Sequence, residues 1–445
     1  MSDLSLILTA AGSIVLLLVL VMKARLHAVV SLILVSVIAG VATGMNPAEI
    51  TQSIEKGMGG TLGFIAVVVG LGSMFGKVME VTGALDQIAR TLLNGFGVAR
   101  ANWAIALTGF VCALPLFFDV AVVLLIGIAF AMVRRGGGSI VKIGIALMAG
   151  IATCQAFLIP TPGPMLVASQ LNADFGAMIL FGLIAAIPSL ILAGPLFGSF
   201  ISQFVDVPAP AEELDVPIEE SKLPSFGLAL GLIGLPLGMI ALKSFLARFI
   251  DKEAAIYPWL ELMGHPFTAI LVACLAAFYL LGWRRGMSRD RLMQVCSSAI
   301  QPAGVIILVT GAGGVFKQVL IDSGVGNALG NMLAGQGLPL VVLGFLLAAA
   351  VRVIQGSATV AMLTASGLLQ PMLEQQNLNG SQLAALTIAI GGGSIVLSHV
   401  NDSGFWLANR YLGLTEKQTL QTWTIMETII GVTGGLVAML IFSWL

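Results

Sequence analysis

The chain has 445 residues, 58% of them hydrophobic and only 10% charged, with a formal net charge of -1. Soluble domains are about a quarter charged, so a water-soluble fold is excluded, and the near-neutral balance leaves no basic surface for nucleic acid. The 17 prolines and 53 glycines are spread through apolar stretches rather than gathered in linkers, which predicts breaks inside membrane segments.

At the N-terminus, Met1 to Met22 carry no basic residue before the apolar run, and the run ends in Lys23 and Arg25 rather than a small-residue cleavage site. It reads as a first membrane helix, not a cleaved signal. A bilayer core about 30 Å thick takes about 20 helical residues, because backbone polar groups in lipid must be bonded internally. That length assigns spanning segments to residues 4–22, 26–44, 60–81, 140–171, 176–204, 226–249, 265–283, 302–321, 383–407 and 422–444.

Residues 103–133 and 338–369 do not fit, since each would be about 45 Å long as one helix. They are interrupted at Leu114-Pro115-Leu116-Phe117-Phe118-Asp119 and at Arg352-Val353-Ile354-Gln355-Gly356-Ser357-Ala358-Thr359. Read as re-entrant hairpins, they leave the cluster Arg284, Arg285, Arg289 and Arg291 on the cytoplasmic side with Lys23, Arg25, Arg134 and Arg135. Both termini are then outside. Read as spans, they would put that cluster outside, against the positive-inside rule.

At a shift of 241 residues the chain overlays itself. Gly72-Ser73-Met74-Phe75-Gly76-Lys77-Val78-Met79 falls on Gly313-Gly314-Val315-Phe316-Lys317-Gln318-Val319-Leu320, Gly150 on Gly391, and Pro160-Thr161-Pro162-Gly163 on Asn401-Asp402-Ser403-Gly404. Five spans and one hairpin per half make the second half enter the membrane upside down, as in many secondary transporters. The expected architecture is an all-α integral membrane fold, an inverted-repeat secondary transporter with about ten spanning helices plus two re-entrant hairpins. Residues 1–205 form the first membrane repeat, 206–225 an acidic cytoplasmic linker and 226–445 the second, inverted repeat.

In such a carrier the substrate sits where interrupted helices offer unpaired backbone groups and positive dipole ends. The two hairpin tips, Ile159 to Pro164 and Ser398 to Gly404 are the four breaks. Gly356, Ser357 and Thr359 can present N–H and O–H donors to a carboxylate, or simply cap the half-helix. Pro160, Pro162 and Pro164 free carbonyls and leave Thr161 to meet a substrate hydroxyl, unless the bend is an ordinary kink. Asp119, Arg352, His399 and Asp402 are ionisable groups at the breaks, where charge is costly.

Asp119, Asp402 or His399 is suited to carry a coupling proton. Arg352 either neutralises an aspartate or holds the substrate carboxylate. Glu427 and Thr428 read first as an interhelical hydrogen bond. Cys112, Cys154, Cys274 and Cys296 lack metal-type spacing and read as small hydrophobic fillers. His399 and Asp402 stand three apart, but with three histidines in the chain an intramembrane metalloenzyme is poorly supported, so no metal and no cofactor is expected. A passive channel is a third reading.

The runs Gly57-Met58-Gly59-Gly60-Thr61-Leu62-Gly63-Phe64, Gly311 to Leu320, Gly356-Ser357-Ala358-Thr359-Val360-Ala361 and Ser398 to Trp406 resemble the gluconate:proton symporter (gluconate permease) family. The likeness is strongest to its low-affinity members from enteric bacteria, in Leu114 to Phe118 and Val351 to Ser357. The resemblance implies uptake of gluconate or a related sugar acid with H+ as coupling ion across the bacterial inner membrane. It also implies paired hairpins of the ion-transporter superfamily type and a homodimer in which a mobile unit slides against a scaffold. Family members carry D-serine, L-idonate or other sugar acids instead. On this resemblance the carboxylate is held at Ser357 and Thr359, and the hydroxyls by Thr161, Asn401 and Asp402. Asp119 stands where related sequences commonly have glutamate.

Overall fold

Every regular element among the described residues is helical, and many of the helices open on a residue that caps them. The computed structural model describes residues 2–445 apart from 25, 98–99, 134–138, 206, 208–222, 248, 252, 326–327, 329–338, 374–375 and 400–401. Most of the acidic linker, Arg25, Arg134, Arg135 and Asn401 therefore lie outside the described residues.

The first half contains α1 (Asp3–Leu18), α2 (Ala28–Ala42), α3 (Pro47–Val81), α4 (Ala84–Phe96), α5 (Ala101–Cys112), α6 (Phe118–Met132), α7 (Ile140–Phe157), α8 (Pro162–Gln170) and α9 (Phe175–Ile201). The second contains α10 (Phe226–Leu246), α11 (Tyr257–Gly264), α12 (Pro266–Arg285), α13 (Arg289–Asp322), α14 (Leu340–Gln355), α15 (Ala358–Leu373), α16 (Gly380–Gly393), α17 (Ser403–Leu412) and α18 (Glu416–Trp444). The spacing of 241 residues seen in the sequence also relates the elements: Pro162 and Ser403 open α8 and α17, and Phe175 and Glu416 open α9 and α18.

Two helices begin well before the apolar runs from which they are expected. α3 starts at Pro47 because Asn46 and Glu49 form a reciprocal capping box, each side-chain oxygen 2.9 Å from the other residue's N–H. α13 starts at Arg289, its cap Ser288 accepting from the Arg291 N–H at 3.2 Å. Capping satisfies the orphan donors of a polar first turn, so a helix can extend beyond the stretch that hydropathy reveals.

At 1.5 Å per residue both helices reach about 50 Å. They pack antiparallel: the Ser53 hydroxyl donates to Asp322 at 2.6 Å, Gly57 faces Gly314 and Val315, and Gly311 faces Met58 and Leu62. The backbones meet so closely that a Cβ on Gly57 would lie 2.6 Å from the Gly314 carbonyl oxygen. Two helices were not anticipated, α4 and α11. α4 bends 65° away from α3 at Gly83, whose φ is +72. It buries Leu85, Ile88 and Ala89, an amphipathic stripe too short for a membrane-length test.

Five described helices are long and apolar enough to cross a membrane when α7 and α8 are taken together, and six if the bent pair α3–α4 is one span. The most apolar window of α7–α8 is 89% buried, against 28% for α9 and for α10. α7 is thus the centre of the protein, while α9 and α10 turn most of their apolar surface outward, as lipid-facing helices do.

All four sequence breaks interrupt helices. α5 and α6 are separated at 113–117, α7 and α8 at 158–161, α14 and α15 at Gly356-Ser357, and α16 and α17 at 394–402. The expected segments 140–171 and 383–407 are each two helices rather than one.

Candidate functional site

The four breaks converge on one cavity of about 460 Å³, within the size range of small-molecule sites. Phe117 and Asp119 come from the first break, Pro162 and Gly163 from the second, Gly356, Ser357 and Thr359 from the third, and Asp402 and Gly404 from the fourth. Arg352 of α14, Gln155 of α7, and Trp423 and Glu427 of α18 complete the wall.

Arg352 is 2% exposed. One terminal nitrogen lies 2.6 Å from Asp402 Oδ2, and the other donates to the Gly356 carbonyl. Its Nε is buried without a hydrogen-bond partner among the described residues, an uncommon state for a donor. Asp402 caps α17, its Oδ1 accepting from the Gly404 N–H at 3.2 Å. Its Oδ2 also accepts from the Ser398 hydroxyl at 2.5 Å, which in turn accepts from Trp423 Nε1 at 2.7 Å. A buried pair holds together only when such further bonds satisfy both ions. Glu427 Oε2 stands 3.8 Å from the same guanidinium.

The break between α14 and α15 is sharp because Gly356 adopts φ +89, a left-handed conformation that costs a side chain but not glycine. Its N–H closes α14 on the Arg352 carbonyl at 2.8 Å. α15 then opens on Ser357, whose Oγ accepts from Val360 N–H only at 3.5 Å, a loose cap. α6 opens on Phe117, which makes no side-chain cap bond, and carries Asp119 in its first turn. Two weakly capped N-termini, each with positive dipole character, therefore meet the cavity.

Not every expected residue reaches it. Thr161 is fully buried and donates to the Leu158 carbonyl; its neighbours Pro162 and Gly163, not Thr161, are on the described lining. His399 is half-buried on the turn before Asp402, and its carbonyl accepts the Asp402 N–H at 2.9 Å; it too is absent from the described lining. Asn401 is among the residues not described.

Gln155 escaped sequence reasoning. Its amide donates to the carbonyls of Ala113 at 3.0 Å and Leu116 at 2.7 Å, pinning the α5–α6 break to α7. A lone amide near the end of a buried apolar helix was the available signal. Glu427, taken first as an interhelical hydrogen bond, instead lines the cavity beside Arg352.

A cavity that brings Arg352, Asp402, Asp119 and Glu427 together between interrupted helices, inside an all-helical apolar fold, defines a multi-pass membrane transporter. The sequence pattern of the GntP family permeases matches residues 4–444, so the chain belongs to the GntP permease family, whose members are carriers rather than enzymes. It is 58% identical to the low-affinity gluconate transporter of Escherichia coli over the whole of both chains. It is 39% identical to a gluconate permease of Pseudomonas aeruginosa, over 99% of this chain and 98% of that one. It is also 36% identical to the Gnt-II system L-idonate transporter of Escherichia coli, over 96% and 97%. The fold is similar to that of the Alcanivorax borkumensis YdaH transporter, with a TM-score of 0.61 at 14% identity over 94% of this chain and 98% of that one. The Neisseria gonorrhoeae MtrF structure gives 0.62 at 14% identity over 93% and 94%.

Proposed function

We propose that the protein takes up gluconate together with a proton across the bacterial inner membrane, binding it in the cavity at the four breaks. The observation that carries this reading is Arg352, a buried cation at the cavity wall with one N–H that has no partner among the described residues. The loosely capped start of α15 lies beside it. A substrate carboxylate there accepts from the guanidinium and from the donors at Gly356, Ser357 and Thr359. Asp402, the undescribed Asn401 and the Thr161 turn serve the hydroxyls. Asp119, Asp402 and His399 are the groups first expected to carry the proton.

The transport fold follows the same reading: about ten spans and two re-entrant hairpins, in two inverted repeats joined by the linker at 206–225. Support comes from α3 and α13, which correspond at the 241-residue spacing and yet run antiparallel where they touch. A homodimer with a sliding transport unit belongs to this proposal as well.

Counterflow of labelled gluconate into proteoliposomes, competed by idonate, glucuronate and D-serine, tests the substrate. Gluconate is expected to compete best. Counterflow with D-serine or idonate but not gluconate would reassign the cargo within the family.

A further inference from the structure

We infer that Glu427 takes the coupling proton, and that it couples the proton to the anion by competing with the substrate carboxylate for Arg352. The inference rests on the proposed anion and proton symport, and it starts from a count of charges. One guanidinium, buried at the cavity wall, has two carboxylates within 4 Å: Asp402 at 2.6 Å and Glu427 at 3.8 Å. Two buried anions against one cation leave an uncompensated charge, which is expensive away from water and is relieved by binding one proton.

The geometry points to the carboxylate that receives it. Asp402 accepts from Arg352, from the Ser398 hydroxyl and from the Gly404 N–H. Its oxygens are thus already engaged by three donors. Asp119, in the first turn of α6, is an exposed residue. Among the described residues, Glu427 has only the longer ion-pair contact, and it is 3% exposed.

Among the described residues, its one ion pair is that with Arg352. Of the elements packed on α18, α9 and α16 carry no charged side chain, α14 carries only Arg352, and α17 carries Arg410 in its last turn. α7 has Lys142 in its first turn, at the opposite end from the cavity residue Gln155. Asp402 and Asp119 share the cavity lining with it, His399 lies on the turn before Asp402, and its own helix has Glu416 and Lys417 in its first turn.

The coupling follows. When Glu427 is ionised it draws on the guanidinium that the substrate anion needs. A proton from the outer solution, bound at the Glu427 carboxylate, removes that competitor and leaves Arg352 to the incoming anion. By reciprocity, a bound anion makes Glu427 harder to deprotonate, so the two travel together. On the inner side, loss of the proton restores the competition and expels the anion.

The test is the Glu427→Gln variant in proteoliposomes. It is expected to lose accumulation driven by a pH gradient, and labelled-gluconate counterflow, which needs no net proton movement, is expected to lose its dependence on pH. In the unmodified protein the apparent gluconate Kd is expected to rise about tenfold per pH unit above the ionisation of Glu427, and in the variant to be flat. Gradient-driven accumulation by Glu427→Gln with an unchanged pH dependence would overturn the inference. If that variant is not recovered folded, Glu427→Asp is expected to accumulate with a displaced pH midpoint, and an undisplaced midpoint counts against the inference. Infrared difference spectra read the same proton without substrate. The protonated-carboxyl band is expected to disappear in Glu427→Gln, and its persistence would assign the proton elsewhere even if gluconate proves not to be the cargo.

Discussion

Ser189 donates a hydrogen bond of 3.3 Å to the backbone carbonyl of Ile430, a residue 241 positions further along the chain. On the proposed inverted repeat, residues that touch their own counterparts lie beside the axis relating the two copies, which would put the contact of α9 with α18 at that axis. Ser189 is fully buried and also donates to the Ala185 carbonyl at 2.7 Å. Its hydroxyl is thus satisfied within its own helix.

Ser189→Ala is therefore expected to lower stability by about 1 kcal/mol or less. Ser189→Leu adds volume where α9 and α18 have no room, and costs about 1–3 kcal/mol. Thermal unfolding in detergent separates the two. A leucine variant as stable as the parent would show that the contact is loose.

The crossing of α3 and α13 gives a sharper contrast. A Cβ at Gly57 would come within 2.6 Å of the Gly314 carbonyl oxygen and 2.8 Å of the Val315 Cα, whereas one at Gly59 would have nothing within 4 Å. Gly57→Val should lower the unfolding midpoint clearly and reduce transport, since backbone atoms cannot step aside as a side chain can. Gly59→Ala should be neutral or slightly stabilising, by up to about 1 kcal/mol, because alanine is the better helix former.

The places where these helices break were legible in the sequence, because proline and glycine interrupt apolar runs in a way no composition hides. Pro115, the Pro160 to Pro164 run and Gly356 each fall at a helix end or break. The extents of α3 and α13 were not legible, since their first turns are polar and held by caps, which hydropathy does not register. α4 was missed for a related reason: an amphipathic helix of 13 residues gives a periodic signal rather than a long apolar one. Within the site, Arg352 and Asp402 stood out as charges in apolar sequence. That they pair, and that Glu427 joins them, depends on three segments distant in the chain meeting at one point. Gln155 acts on backbone carbonyls, and a carbonyl partner leaves no mark in the sequence.

Gly356 links backbone conformation to binding. With φ at +89, alanine there carries about 1–3 kcal/mol of strain. The break would relax in part by turning the Gly356 carbonyl away from Arg352 and the start of α15 away from the cavity. Gly356→Ala is expected to raise the gluconate KM several-fold with little change in the amount of folded protein. Counterflow at a series of gluconate concentrations reads this directly, and an unaltered KM would detach the α15 start from substrate binding.

Arg352 serves both the structure and the proposed binding site, and two variants pull these roles apart. Arg352→Met leaves Asp402 buried without its cation, which costs about 3–5 kcal/mol when one partner of a buried pair is removed. Adding Asp402→Asn removes the stranded charge while keeping an acceptor for Ser398 and a cap for α17, so most of that loss is expected to return. Transport is not expected to return with it, because the substrate anion still lacks its cation. Arg352→Lys keeps the charge but cannot reach Asp402, the Gly356 carbonyl and a substrate carboxylate at once with a single ammonium, and counterflow should fall at least about tenfold. Recovery of both stability and counterflow in the double variant would mean that the guanidinium only compensates Asp402, and that the anion is held by the α15 start alone.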